Sequence, residues 1–311
     1  MSLTSSLVLL TNVRKMKIGI FGGGGLIGTL LAKELVKNHQ VIIFDRQPVR
    51  LTGTSFELVD VLTSRWPPRG LAECQAVINL CGRPIFGRSL FSNRAIYASR
   101  VETTRRIVGW IAEMEPKPRV LICANAVGYY GDHGEQPISE DTPCGNSWLS
   151  VLCRDWQAAA VAAETLGVRV VVFRQGMVIT PVGGVLAILR PYFNLGLGAT
   201  LGNREAWLSW IGAEDLVAAY QAAIDNSKLT GPVSLVSPEP IRQMELMAAL
   251  AAAWRRPLLW HLPKFLGQFL LGSSVEEITT SRRVVPTKLR QFGFHWCQPT
   301  LPSAIFWSGN D

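Results

Sequence analysis

The chain alternates short, wholly apolar runs with longer stretches in which apolar residues recur every three or four positions. Runs at 18–21, 41–44, 56–59, 76–80, 120–123 and 168–173 are apolar at nearly every position and rich in β-branched residues, as strands buried on both faces of a parallel sheet must be. Between the first two, Leu26, Leu30, Leu31 and Leu35 keep a helical spacing while Lys33, Glu34 and Lys37 take the other face, so a helix is predicted over 26–38. Further helices are predicted over 95–114 and 149–166, the second stopped by Gly167. Strand and helix in regular alternation predict an α/β fold, a doubly wound parallel sheet of Rossmann type.

After Arg174 the texture changes to glycine-rich loops (Gly183-Gly184, Gly196-Leu197-Gly198) and a Trp-bearing stretch at 207–211. A helix over 214–225, a short strand over 233–236 and an alanine-rich helix over 244–254 follow. The expected organisation is a dinucleotide-binding domain at 16–180 and a smaller substrate-side and C-terminal region at 181–311, with 212–237 returning to the first domain. Residues 1–15 read as a poorly ordered extension without a basic start or cleavage pattern, and Met16 is a candidate second start. No stretch reaches about 18 uninterrupted apolar residues, so no transmembrane segment is expected. The stretch 257–271, with Leu259, Leu262, Leu266, Phe269 and Leu270, reads as a buried helix of the small domain or, alternatively, as a partner or membrane-surface face.

Composition sharpens this only slightly. Of 311 residues 48% are apolar and 17% charged, which excludes disorder. The net charge of +8 is spread along the chain rather than gathered in a run, which suits an anionic small ligand better than nucleic acid, or carries no message at all. Six cysteines without a C-x-x-C pair point to a reducing cytoplasm, or an organelle stroma in a eukaryote. Four scattered histidines suggest no metal site.

The candidate chemistry begins at GGGGLIG (22–28), between the first predicted strand and the first predicted helix. Gly22, Gly25 and Gly28 fit the roles of tight turn, close approach to a pyrophosphate and close helix packing, with Leu26 and Ile27 opening the helix. Asp45, after the second strand, is placed to accept hydrogen bonds from the adenosine ribose, whereas Arg46 beside it would hold a 2′-phosphate; NAD and NADP both stay open. Asp60 and Val61 end the third strand, near the adenine or in an ordinary turn.

Further motifs are NLCG (79–82), SRVETT (99–104), AVGYYG (126–131), RQGMVI (174–179), LSWIGAEDL (208–216), SPEPI (237–241) and RRVVPTKLRQFGF (282–294). With the glycine loop, they make the chain resemble an extended, sugar-epimerase-like member of the short-chain dehydrogenase/reductase superfamily. More narrowly, it resembles the atypical epimerase-family proteins that end in a small domain of unassigned function and are sometimes labelled cell-division inhibitors. The resemblance implies that Leu80, Cys81 and Gly82 pass beside the cofactor ribose, that Arg100 reaches the cofactor, and that Val178 borders the nicotinamide. Gly82 as a strand-end turn and Arg100 as a solvated helix residue are the plainer readings. A small-molecule substrate such as a sugar nucleotide, and a homodimer, are also expected.

Catalytic members of that superfamily use a tyrosine with a lysine four residues on. Four residues after Tyr97, Tyr129, Tyr130, Tyr192 and Tyr220 stand Val101, His133, Gly134, Gly196 and Ile224, so the pair is absent. Asn125 stands in the serine region, and Tyr129, Tyr130 and Cys153 are the candidate substitutes, although such tyrosines more often pack a cleft than exchange protons. Trp207, Trp210 and Arg204 are candidate substrate contacts, although core packing explains the tryptophans equally well, and Asp215 reads as an N-terminal partner of its helix. Two functions follow: hydride transfer on a small or nucleotide-linked hydroxyl compound, or a non-catalytic NAD(P)-binding regulator, as in cell or organelle division.

Overall fold

The structure, a computed structural model, describes residues 15–85, 92–266 and 278–307, so all but the last residue of the expected extension lies outside the described residues. The apolar runs become β1 (Lys17–Phe21), β2 (Gln40–Asp45), β3 (Thr54–Leu58), β4 (Ala76–Asn79), β5 (Val120–Ala126) and, after the short β6 (Pro137–Ile138), β7 (Arg169–Gln175). Beyond β8 (Met177–Ile179), β9 (Gly198–Leu201), β10 (Trp207–Leu208) and β11 (Trp210–Gly212), the chain returns as β12 (Gly231–Leu235). One seven-stranded sheet results, ordered β12-β7-β5-β4-β1-β2-β3, every pair parallel. The order reverses between β1 and β4, and that reversal opens a crevice at the carboxyl ends of the strands.

Alternate residues of each strand feed opposite faces. Ile18, Ile20, Ile43, Ile78, Ile122 and Phe173 pack with α1 (Leu26–Leu35) on one side. Phe21, Phe44, Val77, Leu121 and Val172 pack on the other against Ile107, Trp110 and Ile111. These two cores are what makes the sheet doubly wound. The predicted helix at 95–114 is broken: α2 (Asn93–Tyr97) runs into a π turn at Ala98–Glu102 and only then into α3 (Thr103–Ala112). Thr103 Oγ1 and Thr104 Oγ1 donate back to the carbonyls of Ala98 and Arg100, local competition that a periodicity count does not see. α4 (Trp148–Val161) is capped by Ser147, tightens into a 3₁₀ turn at Ala162–Leu166 and stops at the left-handed Gly167.

The second half packs around Leu186, Leu189, Phe193, Leu246, Leu250 and Ile305, from α5 (Gly184–Asn194), α7 (Gln243–Trp254) and the chain's last described helix. α6 (Ala213–Asp225) instead lies on the first core with α1. Asp215 does more than serve its own helix. Fully buried, its carboxylate accepts the N–H groups of Cys297 (2.6 Å) and Gln298 (3.1 Å), and burial raises its pKa to about 6.

Small strand pairs stitch the second half to the first. β8 pairs with β11, β10 with β13 (Ile241–Arg242), β9 with β14 (Leu258–Leu262), and β15 (Arg283–Val284) with β6. The buried-helix reading of 257–271 is thereby corrected for 258–262, while 264–266 are helical but exposed. Pro257 and Pro263 bracket a segment too short for a helix, and the β9 edge offers it a ladder; residues 267–271 lie outside the described residues. Among the described residues no helix is long and apolar enough to cross a membrane.

Candidate functional site

The chain leaves β1 through Gly22, whose φ of +74° suits glycine and whose Cα faces the Leu80 backbone so closely that an added Cβ would sit 3.0 Å from its carbonyl carbon. Gly25 is the N-cap of α1, and a Cβ there would meet only the Gly22 carbonyl oxygen, at 3.5 Å. At Gly28 an added Cβ would lie 2.5 Å from Gly23 Cα, so helix and loop touch backbone to backbone. α1 has neither a side-chain cap nor an acidic residue in its first turn. Its first intrahelical donor is Thr29 N–H, which reaches Gly25 O at 2.9 Å. The N–H groups of Leu26, Ile27 and Gly28 precede that ladder, at the positive end of the helix dipole.

Those groups open onto a cavity of about 590 Å³ in the crevice between β1 and β4, a volume typical of ligand sites. Gly22, Gly25, Leu26, Ile27 and Gly28 form its floor, and Leu80, Cys81, Gly82, Arg100, Asn125 and Val178 line its length. Asn79 orders the turn after β4 by accepting Cys81 N–H at 3.0 Å. The π turn carries Arg100 to the wall, where Nη2 donates to Arg83 O (2.9 Å) and the guanidinium lies 5.4 Å from the Trp156 ring centre. Burial pulls the Arg100 pKa down to about 10, still a cation at neutral pH. Burial, then the Asp45 carboxylate, pushes the Cys81 thiol up to about 12, so it lines the wall without reactivity.

Asp45, Arg46, Asp60 and Val61 are not among the lining residues. Asp45 Oδ2 accepts the N–H of Gly24 (3.0 Å) and Oδ1 that of Gln47 (3.2 Å), which fixes the end of β2 against the glycine loop, and Arg46 is exposed beside it. Asp60 folds into a turn by accepting Leu62 N–H at 3.0 Å, and Val61 is core.

Of the candidate catalytic residues, Asn125 and Cys153 line the cavity and Tyr129 and Tyr130 do not. Asn125 Nδ2 donates to Cys153 O (2.9 Å) and its Oδ1 accepts Ala126 N–H (2.7 Å), so its amide holds backbone in place. Tyr129 and Tyr130 turn away to pack Arg174: the guanidinium stands 3.6 Å from the Tyr129 ring centre and donates to Tyr130 Oη at 3.0 Å. Tyr130 Oη also shares a hydrogen bond with Ser234 (2.9 Å), and burial pushes its phenol up. Motif adjacency does not reveal this, because the burial of Arg174 depends on the returning strand β12.

At the far end the cavity is closed by Gln175, Met177, Trp207, Ser209, Thr280 and Arg282. Trp207 is held by Glu135, which accepts the indole N–H (2.8 Å) and a two-pronged ion pair from Arg242. Trp210 is core and Arg204 exposed, so neither takes the contact role expected of it. Neither Arg282 nor Thr280 is a site candidate from sequence; Arg282 opens the conspicuous RRVVPT motif, whereas Thr280 lies outside it and carries no signal. Among the described residues no cluster of histidine, cysteine or carboxylate fits a metal.

The model of the NAD dependent epimerase/dehydratase family matches residues 18–234, and that of a domain of unknown function, DUF1731, matches 262–307. An epimerase family protein of Mycobacterium bovis is 34% identical over 93% of this chain and 96% of its own length. The chloroplastic SDR39U1 homologue of Arabidopsis thaliana is 31% identical over 94% of this chain and 86% of its own. Human epimerase family protein SDR39U1, solved with NADPH, superposes with a TM-score of 0.82 at 27% identity, covering 93% of this chain and 98% of that one. Thermus thermophilus UDP-glucose 4-epimerase with NAD shares the fold at a TM-score of 0.74 and 17% identity, over 91% and 94% of the two chains. With a family model spanning most of the chain and relatives above 30% identity along nearly all of it, this protein belongs to the NAD-dependent epimerase/dehydratase family.

Proposed function

We propose that the protein binds NADP(H) along the glycine loop and serves hydride transfer on a small anionic, hydroxyl-bearing or nucleotide-linked compound. The observation that carries this reading is the single cavity running from the uncapped start of α1 to Arg282. The residues fit the dinucleotide: free first-turn N–H groups and Gly25 leave a cradle that a side chain would fill. Asp45 is already engaged by two backbone N–H groups while Arg46 is exposed, a pair suited to a 2′-phosphate, and the human relative was solved with NADPH. When bound, the nicotinamide supplies or accepts hydride. This chain's residues would do the rest, Arg100 holding ribose or phosphate and Arg282 orienting an anion at the far end. A reducing compartment suits the six free cysteines. The test is to incubate the purified protein with NADP+ and a panel of sugar nucleotides and hydroxy acids, and with NADPH and the matching carbonyl compounds, following absorbance. Reduction of NADP+ by one class of hydroxyl donor, or oxidation of NADPH by its carbonyl partner, is expected; bound cofactor with no turnover on any of them overturns hydride transfer.

A second reading, a cofactor-binding regulator without turnover, is favoured by one observation: the Asn125 amide is tied to backbone and the Tyr130 phenol to Arg174 and Ser234. A division phenotype on deletion, rescued equally by a turnover-dead variant, would establish it.

A further inference from the structure

Several exposed apolar side chains gather where β14 pairs with β9. The register slips between Leu258 and Trp260, so Leu259 is bulged out of the ladder, a device that re-aims a side chain. Leu259 is 66% exposed, Trp260 56% and Phe265 67%. On the neighbouring strand's approach, Leu195 and Leu197 are exposed as well. A patch of this kind is not the ordinary scatter of surface apolar residues, because consecutive large side chains project from one two-stranded ribbon.

The sequence of this corner carries an excess of cations. The stretches 181–203 and 246–266 contain Arg190, Arg255, Arg256 and Lys264, all exposed, and no Asp or Glu, the nearest acids being Glu205 and Glu245 just beyond their ends. Arg255 closes α7 at φ +52°, a left-handed position that glycine would take without strain, and it leads directly into a second arginine. Indole and phenyl rings set among cations, with aliphatic tips between them, complement a surface that is apolar beneath and anionic above.

We propose that this corner docks the protein peripherally on an anionic lipid surface, Leu259, Trp260 and Phe265 entering the headgroup boundary and Arg190, Arg255, Arg256 and Lys264 meeting the phosphates. The contact needs no dinucleotide. The experiment sediments the full chain with sucrose-loaded vesicles, either pure phosphatidylcholine or an equal mixture with phosphatidylglycerol, at low and high salt. The chain should pellet with the mixed vesicles and remain in solution with the neutral ones. Leu259→Ser with Trp260→Ser, and separately Arg255→Glu with Arg256→Glu, should each weaken partition about tenfold or more, the latter removing most of the salt dependence. Both pairs change exposed side chains, so their melting temperatures should match the parent's, and Trp66→Ser, at an exposed tryptophan elsewhere, should pellet like the parent. Failure of the parent to pellet, or equal pelleting of parent and both double variants, overturns the proposal. So does a dimer that is lost in the Leu259/Trp260 variant without any vesicle binding, which would assign the face to a second copy of the chain.

Discussion

Gly25 separates ligand binding from folding better than its two neighbours in the motif. Its φ of −74° and ψ of 172° are open to any residue, and an added Cβ touches little protein, so Gly25→Val should fold with a melting temperature near the parent's. The rise in melting temperature that NADPH gives the parent should vanish, as thermal shift will show, because the new side chain fills the cradle. Gly22→Val, at positive φ, should lose stability as well. Arg46→Ala should weaken NADP about tenfold while leaving NAD unchanged, measured by titration of nucleotide fluorescence. The glycines were legible in the sequence because their spacing between strand and helix has one physical use. Tyr129 and Tyr130 were not: a tyrosine next to a glycine looks the same whether it faces the cleft or stacks on a buried arginine from another strand.

Among the elements, the sheet strands were legible because burial on both faces leaves unbroken apolar runs. The π turn that aims Arg100 was hidden, since Ser, Thr and Glu in SRVETT keep a helical period and only the hydroxyl back-bonds reveal the wider turn. The strand character of 258–262 was hidden too, because it comes from the β9 edge rather than from its own residues. The start of α6 makes a testable tie. Asp215→Ala should orphan the N–H groups of Cys297 and Gln298 and cost about 2 kcal/mol. Because the folded pKa of Asp215 is raised to about 6 from 3.8, the native state binds its proton more tightly than the unfolded chain. Stability contributed by the carboxyl is therefore full below about pH 4 and falls as pH rises towards 6. The melting-temperature gap between parent and variant should accordingly be widest near pH 4 and narrow by pH 6.5; a gap that widens with pH would contradict the raised pKa.

Across the whole molecule, one end of the cavity comes from the first half and the other from segments that arrive late in the chain. Arg282→Ala should leave NADPH affinity within about twofold yet raise the KM of any anionic acceptor about tenfold or more, the split expected of a residue at the substrate end of the cavity. Steady-state assays at saturating NADPH will show it. The uncapped start of α1 also bears on how long the protein survives. With no side chain to satisfy its first turn, the nucleotide itself completes that helix end, and the empty protein should open there more often, offering the loop to proteases. Abundance in a cell would then track supply of the dinucleotide, the chain being cleared when the pool is depleted and spared when it is full.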